Sequence, residues 1–303
     1  MSKNLIVILG PTAVGKTRLA SKIASRYNGE IISADSRQIY KGMDIGTGKD
    51  LDDYTIEGKQ IPYHLIDKLD PKTDEFNLFR FNELFVHAFN DIKEKEKTAI
   101  LAGGTGLYIH SLLKKYELSY ADFSEKRIAQ LNKLKIEELQ EKLKRVNPNL
   151  HNTTDLLNKE RVINAIIIAE DEQNKVLLNR PDIDAVVIGV KLDREIIKER
   201  ITKRLKARLE NGMIEEAKRL LHEGVSYEKM MFFGLEYKFL GMYLKGELNY
   251  NDMFQKLNSS IHKFAKRQMT WFRKMEKEGV EINWIEGPDF ETAQKIIDRD
   301  FLS

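Results

Sequence analysis

Cysteine is absent from the 303 residues. Its absence excludes disulfides, zinc knuckles and catalytic thiols, and fits a reducing cytoplasm. The six histidines show no metal-ligand spacing. Neither sign of charge dominates: 50 Lys and Arg face 47 Asp and Glu, a net charge of +3. Taken alone, that balance argues against a strongly basic nucleic-acid binder. No stretch approaches the ~18 apolar residues of a membrane helix, and the first apolar run, Leu5–Leu9, is too short for a signal segment. A soluble, cytoplasmic protein without a membrane partner is expected. What is present is a chain 42% hydrophobic and 32% charged, enough for a core under a densely charged surface. Its length suits one large domain, or one carrying a second, smaller one.

Leu5–Leu9 is an unbroken apolar run, the pattern of a strand buried on both faces of a parallel sheet. Glu30–Ala34, Thr98–Ala102 and Ala185–Val190 repeat it, and helical spacing runs through Thr17–Tyr27 and Asn77–Lys95. This alternation predicts a parallel α/β sheet. From about Ser124 to Glu172 the chain turns to polar amphipathic helices rich in Lys, Glu, Leu and Asn, with no clear strand. The reading is a discontinuous core, 1–115 and 185–303, interrupted by an all-helical insertion, 116–184. Helices over Arg194–Asn211, Ile214–Glu223, Asn251–Lys277 and Glu291–Phe301, with a strand at Ile282–Ile285, complete it.

Gly10-Pro11-Thr12-Ala13-Val14-Gly15-Lys16-Thr17 matches G-x-x-x-x-G-K-[ST] between a buried strand and a helix. Glycines let the backbone wrap an anion, successive N–H groups point at phosphate oxygens, and Lys16 adds a mobile charge. The Thr17 hydroxyl is a candidate magnesium ligand. The fold expected is therefore a P-loop NTPase-like parallel sheet core binding a di- or triphosphate. Phosphate-loop NTPases hold their metal also with an Asp at a nearby strand end, yet Thr98–Ala102 leads into Gly103-Gly104-Thr105. The strand-end carboxylate is Asp35, followed by Ser36, Arg37 and Gln38. Ligands of open α/β sheets bind at strand carboxyl ends, so Asp35 and Thr105 should both face Lys16. Asp35 is a candidate magnesium ligand and equally a candidate general base or a cap of the following segment.

Two late helices carry positive charge. In Arg194–Asn211, Arg200, Arg204 and Arg208 share a face; Arg200 and Arg208 read as a solvated surface stripe. Between Ile261 and Met275 there is no acid. Helical spacing turns Ile261, Phe264, Gln268, Trp271, Phe272 and Met275 toward the core and Lys263, Lys266, Arg267 and Lys274 outward, where phosphates would meet them.

Together, the phosphate loop, Ser33-Ala-Asp35-Ser36-Arg37-Gln38-Ile-Tyr40, Lys41-Gly-Met-Asp-Ile-Gly-Thr47, Gly103-Gly-Thr105-Gly-Leu-Tyr108 and Ala265-Lys-Arg-Gln-Met-Thr-Trp-Phe-Arg273 resemble the tRNA dimethylallyltransferase family, also called tRNA isopentenyltransferase. The order of motifs matches over nearly the whole chain. The resemblance implies transfer of a dimethylallyl group from dimethylallyl diphosphate to N6 of adenosine 37, beside the tRNA anticodon, with release of diphosphate. It implies that Gly10 to Thr17 and Arg204 hold the diphosphate, that Thr17 binds magnesium (Asp35 being a further candidate ligand), and that Asp35 and Thr105 act at the reacting centre. Asp35, Ser36, Arg37, Gln38 and Thr105 would meet the flipped base, Lys266 and Arg267 the RNA, and the helical insertion, through Arg127 and Arg161, the anticodon stem. A monomer is expected.

Three segments depart from the family pattern. Arg161-Val-Ile-Asn164-Ala165 lacks a second arginine, Gly234-Leu-Glu-Tyr-Lys238 replaces Gly-Tyr-Lys-Glu, and Gly48-Lys49-Asp50 replaces Ala-Lys-Pro. Altered tRNA contacts with retained chemistry are expected. The alternatives are an adenylate isopentenyltransferase acting on free adenine nucleotides, a small-molecule phosphate-loop kinase and a non-catalytic RNA-binding protein. The long helical insertion and the basic late helix favour tRNA over a free nucleotide, and the missing strand-end carboxylate disfavours the kinase.

Overall fold

The computed structural model describes residues 3–116, 118, 121, 123–148, 156, 159–171 and 179–302. Within the expected insertion, 117, 119–120, 122, 149–155, 157–158 and 172–178, Glu172 among them, lie outside the described residues. The chain divides into two compact units, Met1–Lys114 with Asp182–Ser303, and Lys115–Pro181. Residues 182–184 fall in the larger unit because Asn4 pairs with them: its side chain donates to the Asp182 carbonyl at 2.7 Å and accepts from the Asp184 N–H at 2.9 Å.

In the larger unit the strands are β1 (Leu5–Leu9), β2 (Gly29–Ser33), a hairpin β3 (Thr55–Ile56) and β4 (Lys59–Gln60), β5 (Tyr63–His64), β6 (Thr98–Gly103), β7 (Ala185–Lys191) and β8 (Asn283–Glu286). Six of them form one sheet in the order β5-β2-β6-β1-β7-β8, with every neighbouring pair parallel. Its helices are α1 (Lys16–Arg26), α2 (Leu78–Glu94) and α3 (Gly106–Leu113), then α7 (Arg194–Glu210), α8 (Met213–His222), α9 (Tyr227–Met230), α10 (Leu235–Leu244), α11 (Tyr250–Lys277) and α12 (Phe290–Asp300). The four apolar runs are strands, as their composition predicts. The two-residue β5 and the short helices α3 and α9 carry no periodic signal long enough to read, and α10, as long as α8, is too apolar all round to show one.

All five residues of β1 are buried because its alternate side chains enter two cores. Leu5, Val7 and Leu9 pack with Phe81 and Phe85 of α2, Ile109 of α3, Leu205 of α7 and Phe272 of α11. Ile6 and Ile8 pack with Leu19 and Ile23 of α1 and with Ala293 and Ile297 of α12. Helices thus cover both faces of the sheet, which leaves its strand ends as the open concave region. The longest helix, α11, starts where the Asn249 side chain accepts from the Asp252 N–H at 2.9 Å. It buries Met253, Leu257, Ile261, Ala265, Gln268, Phe272 and Met275, a stripe at steps of three and four.

The second unit holds α4 (Glu125–Asn132), α5 (Ile136–Val146) and α6 (Lys159–Asp171) around Leu139, Leu143, Val162, Ile163, Ile166 and Ile167. Among the described residues it contains no strand.

Candidate active site

The loops that follow β1, β2 and β6 at their carboxyl ends line one cavity of about 370 Å³. Behind β1, Gly15 takes φ 90° and a Cβ at Gly10 would run into the Val190 carbonyl oxygen, so the wrapped loop requires glycine at both positions. Gly10, Pro11 and Val14 are buried beneath it, while Thr12, Ala13, Gly15, Lys16 and Thr17 line the cavity. Helix α1 begins at Lys16, which turns its N-terminal N–H groups toward the space. The Lys16 ammonium donates to the Pro11 carbonyl at 2.6 Å. Burial, and then the Arg204 guanidinium, push its pKa down to about 7 against the opposing pull of Asp35.

Asp35 stands just past β2 on the same cavity. Its Oδ1 accepts from the Arg37 N–H at 2.9 Å, so it does cap the following turn, with one of its two oxygens. The Ser36 N–H donates to Thr105 Oγ1 at 3.3 Å, tying the end of β2 to the end of β6. The Gln38 amide donates to the Gly48 carbonyl at 3.1 Å and accepts from the Ser33 hydroxyl at 3.3 Å, so it positions the 46–50 loop. Ser36, Arg37, Gln38 and Thr105 all line the cavity.

Arg204 arrives from α7, and its guanidinium donates to Thr12 Oγ1. Burial, and then neighbouring Arg208, lower its pKa to about 10. Arg208 corrects the surface-stripe reading. It also lines the cavity, with its side chain only 11% exposed and 3.4 Å from Asp50. It fills the space that a Cβ at Gly48 would need. The reason lies in the helix: Ile201, Leu205 and Leu209 are the buried side of α7, and Arg204 and Arg208 flank them three residues on. Arg200 is exposed, as expected.

Several lining residues lay beyond sequence reasoning. Glu236, within the departing Gly234–Lys238 segment, lines the cavity, and burial pushes its carboxyl up against the opposing pull of Arg208 and Arg204. Tyr54 and Asp53 come from a short helical turn. Gln268, buried as its place in the stripe predicts, is held at both ends: its carbonyl accepts from the Thr12 N–H and its amide donates to the Gly104 carbonyl, both at 2.9 Å. A polar residue in an apolar stripe was the available signal. Phe264 corrects its core-facing assignment. It is 38% exposed and lines the cavity, with the Arg267 guanidinium 5.8 Å from its ring centroid. It lies beside the buried stripe, one residue short of Ala265. Phe272 is buried and Trp271 half-buried against Gly106. Lys266 is exposed and does not line the cavity, whereas Arg267 is exposed and does.

Arg127 and Arg161 belong to the helical unit. Arg127 is engaged inside it, 2.7 Å from Asp171 and 2.9 Å from Glu170, and Glu170 also meets Lys142 at 2.8 Å. This network ties α4, α5 and α6 together, so the Arg127 charge expected to meet RNA is matched by carboxylates of its own unit. Arg161 is exposed on α6.

Among the described residues no cluster of three or more His, Asp or Glu side chains could enclose a metal. Thr17 and Asp35 nevertheless both offer oxygen to the cavity. One or two protein oxygens completed by phosphate oxygens and water is the set magnesium takes at phosphate sites, so the residues fit that ion.

A phosphate loop at the switch point of a parallel sheet, with two arginines and a strand-end carboxylate around one cavity, defines a phosphate-loop α/β protein. Comparison narrows this class. The family model described as IPP transferase matches residues 38–275, and the chain belongs to that family. It is 50% identical over 299 residues to "tRNA dimethylallyltransferase 1" of Geotalea uraniireducens, covering 98% of each chain. A solved full-length tRNA isopentenylpyrophosphate transferase from Bacillus halodurans is 31% identical, with a TM-score of 0.68 over 100% of this chain and 95% of that one. A eukaryotic dimethylallyltransferase solved acting on tRNA shares the fold, with a TM-score of 0.75 at 23% identity over 99% of this chain and 80% of that one.

Proposed function

We propose that this enzyme is a tRNA dimethylallyltransferase that alkylates N6 of adenosine 37. The observation that carries the reading is the meeting of Lys16, Arg204, Asp35 and Thr105 on one cavity. The phosphate loop and Arg204 hold the diphosphate of dimethylallyl diphosphate as a leaving group. N6 attacks C1 of the dimethylallyl group, the C1–O bond breaks, and the electron pair leaves with diphosphate. Lys16 and Arg204 stabilise the charge that develops on that oxygen. An adenine amine is a weak nucleophile, so the Asp35 carboxylate accepts the N6 proton, worth typically about 10² to 10⁴ in rate. Thr17 would hold magnesium, which supplies further charge neutralisation on the diphosphate when bound.

Adenosine 37 must leave its stack to reach the cavity, at a cost of a few kcal/mol in a single-stranded loop. Ser36, Arg37 and Thr105 then meet the extruded base, while Lys266 and Arg267 meet phosphates of the anticodon arm. The helical unit holds the stem, with Arg161 as its contact; Arg127 serves through the network that orders the helices. Among the described residues no helix is long and apolar enough to cross a membrane. We place the enzyme in the cytoplasm as a monomer, which light scattering would check.

The test is diphosphate release and nucleoside mass analysis with dimethylallyl diphosphate and bulk tRNA, with AMP and ATP as competing acceptors. Prenylated adenosine in tRNA alone is expected; none in any tRNA would sink the reading. Asp35→Ala should lower kcat by about 10² to 10⁴ while tRNA remains bound.

A further inference from the structure

Gln268 is a buried polar residue, 7% exposed, in a stripe that is otherwise apolar. Burying a carboxamide is costly unless both ends are satisfied, and both are. Its carbonyl oxygen accepts from the Thr12 N–H at 2.9 Å, and its amide donates to the Gly104 carbonyl at 2.9 Å. The partners dictate the side chain. A backbone N–H only donates and a backbone carbonyl only accepts, so one group must accept at one end and donate at the other. Ionised Glu has no donor, Met has neither function, and Asn is one methylene shorter. Gly104 is matched to it, since a Cβ there would run into the Gln268 amide nitrogen.

Thr12 and Gly104 belong to opposite sides of the reaction. Thr12 is in the loop that holds the donor, and its hydroxyl also receives Arg204. Gly104 leads into Thr105, whose Oγ1 accepts the Ser36 N–H beside Asp35. We infer that Gln268 is a positioning residue: it fixes the distance between the diphosphate cradle and the strand ends that hold the nucleophile. This rests on the transferase reading above. The displacement requires C1 and N6 within about 3–3.5 Å and in line, and an error of about 1 Å costs about 10² in rate. Gln268 lines the cavity, but its carbonyl and amide are bonded to Thr12 and Gly104, and it acts through them.

Gln268→Met keeps length and volume and removes both hydrogen bonds. With dimethylallyl diphosphate and tRNA saturating, kcat per folded active site should fall about 30- to 100-fold, while the Kd for tRNA stays within about twofold of the wild type (a shift below ~0.4 kcal/mol). Gln268→Glu, the second variant, keeps the acceptor toward Thr12 and loses the donor toward Gly104. Its kcat should fall at least about tenfold at pH 8, and the deficit should shrink at pH 6, where a protonated carboxyl donates again. A role in stability alone would lower the melting temperature and leave kcat per folded site intact. A kcat within about twofold of wild type in either folded variant (~0.4 kcal/mol) overturns the inference. If the wild type prenylates no tRNA, the functional reading has failed, and the Thr12 arm is judged by titration with inorganic diphosphate. Binding about tenfold weaker in Gln268→Met (1.4 kcal/mol) then supports the inference, and unchanged binding overturns it.

Discussion

Lys16 works in a setting that disfavours its own charge. Burial and Arg204 hold its pKa at about 7, so close to neutral pH a substantial fraction of the ammonium is lost until an anion arrives. Diphosphate oxygens against Nζ raise that pKa again. Between pH 7 and the ordinary lysine range, the complex therefore binds more protons than the free enzyme, and affinity must fall as pH rises through that window. Titration of the enzyme with dimethylallyl diphosphate between pH 7 and 9 should show weakening affinity. At pH 8, buffers of differing ionisation heat should report proton uptake; a pH-independent Kd would contradict this. Burial acts on Glu236 too. Its carboxylate faces Arg204 and Arg208 inside the cavity, yet burial raises its pKa. In the sequence it stands inside the departing Gly234–Lys238 segment, but no phosphate-loop or strand-end motif marks it for this cavity.

One scale up, the 41–50 segment shows how an element is held without regular structure of its own. The Glu216 carboxylate of α8, 7% exposed, accepts the N–H groups of Asp44, Ile45 and Gly46 at 2.8, 2.8 and 2.9 Å and the Tyr237 hydroxyl at 2.6 Å. Lys49 closes the other side, buried and donating to the Tyr40 carbonyl and to Asp44 and Asp67. The segment then delivers Thr47, Gly48 and Asp50 to the cavity. Glu216→Ala leaves three backbone donors and a hydroxyl without their acceptor. It should cost about 2–4 kcal/mol in urea denaturation and raise KM. A change below ~1 kcal/mol would show that the loop is held otherwise. The Lys41–Thr47 motif was legible as a family signature, but its function as a loop captured by a distant carboxylate was not. Glu216 lies 170 residues further on, in a helix whose pattern marks it only as amphipathic. Arg208 misled for a related reason. Helical spacing assigns residues to a common face, but says nothing of what lies opposite that face.

For the molecule as a whole, a net charge of +3 suggested little affinity for nucleic acid, and α11 shows why that average misleads. Lys263, Lys266, Arg267 and Lys274 are exposed along one helix, and Arg267 reaches the cavity. RNA affinity should therefore be carried by a local patch and fall with salt. A plot of log K against log salt concentration should slope downward, and Lys266→Ala should reduce the slope by about 0.7 to 1 without changing kcat at saturation. A salt-independent Kd would exclude the patch.

The sequence by itself determined the parallel α/β core, the phosphate loop and the strand-end positions of Asp35 and Thr105. It also marked the break into a helical segment and, by resemblance, the chemistry. These are local properties: apolar runs, helical periodicity and a contiguous anion-wrapping motif are written in neighbouring residues. Only the tertiary structure decided which arginines face the cavity, that Arg127 is occupied by carboxylates of its own unit, and that Gln268 joins Thr12 to Gly104. Each depends on a contact between residues distant in the chain, and such a contact exists only once the helices pack in one register, against the sheet in the larger unit and against one another in the helical one.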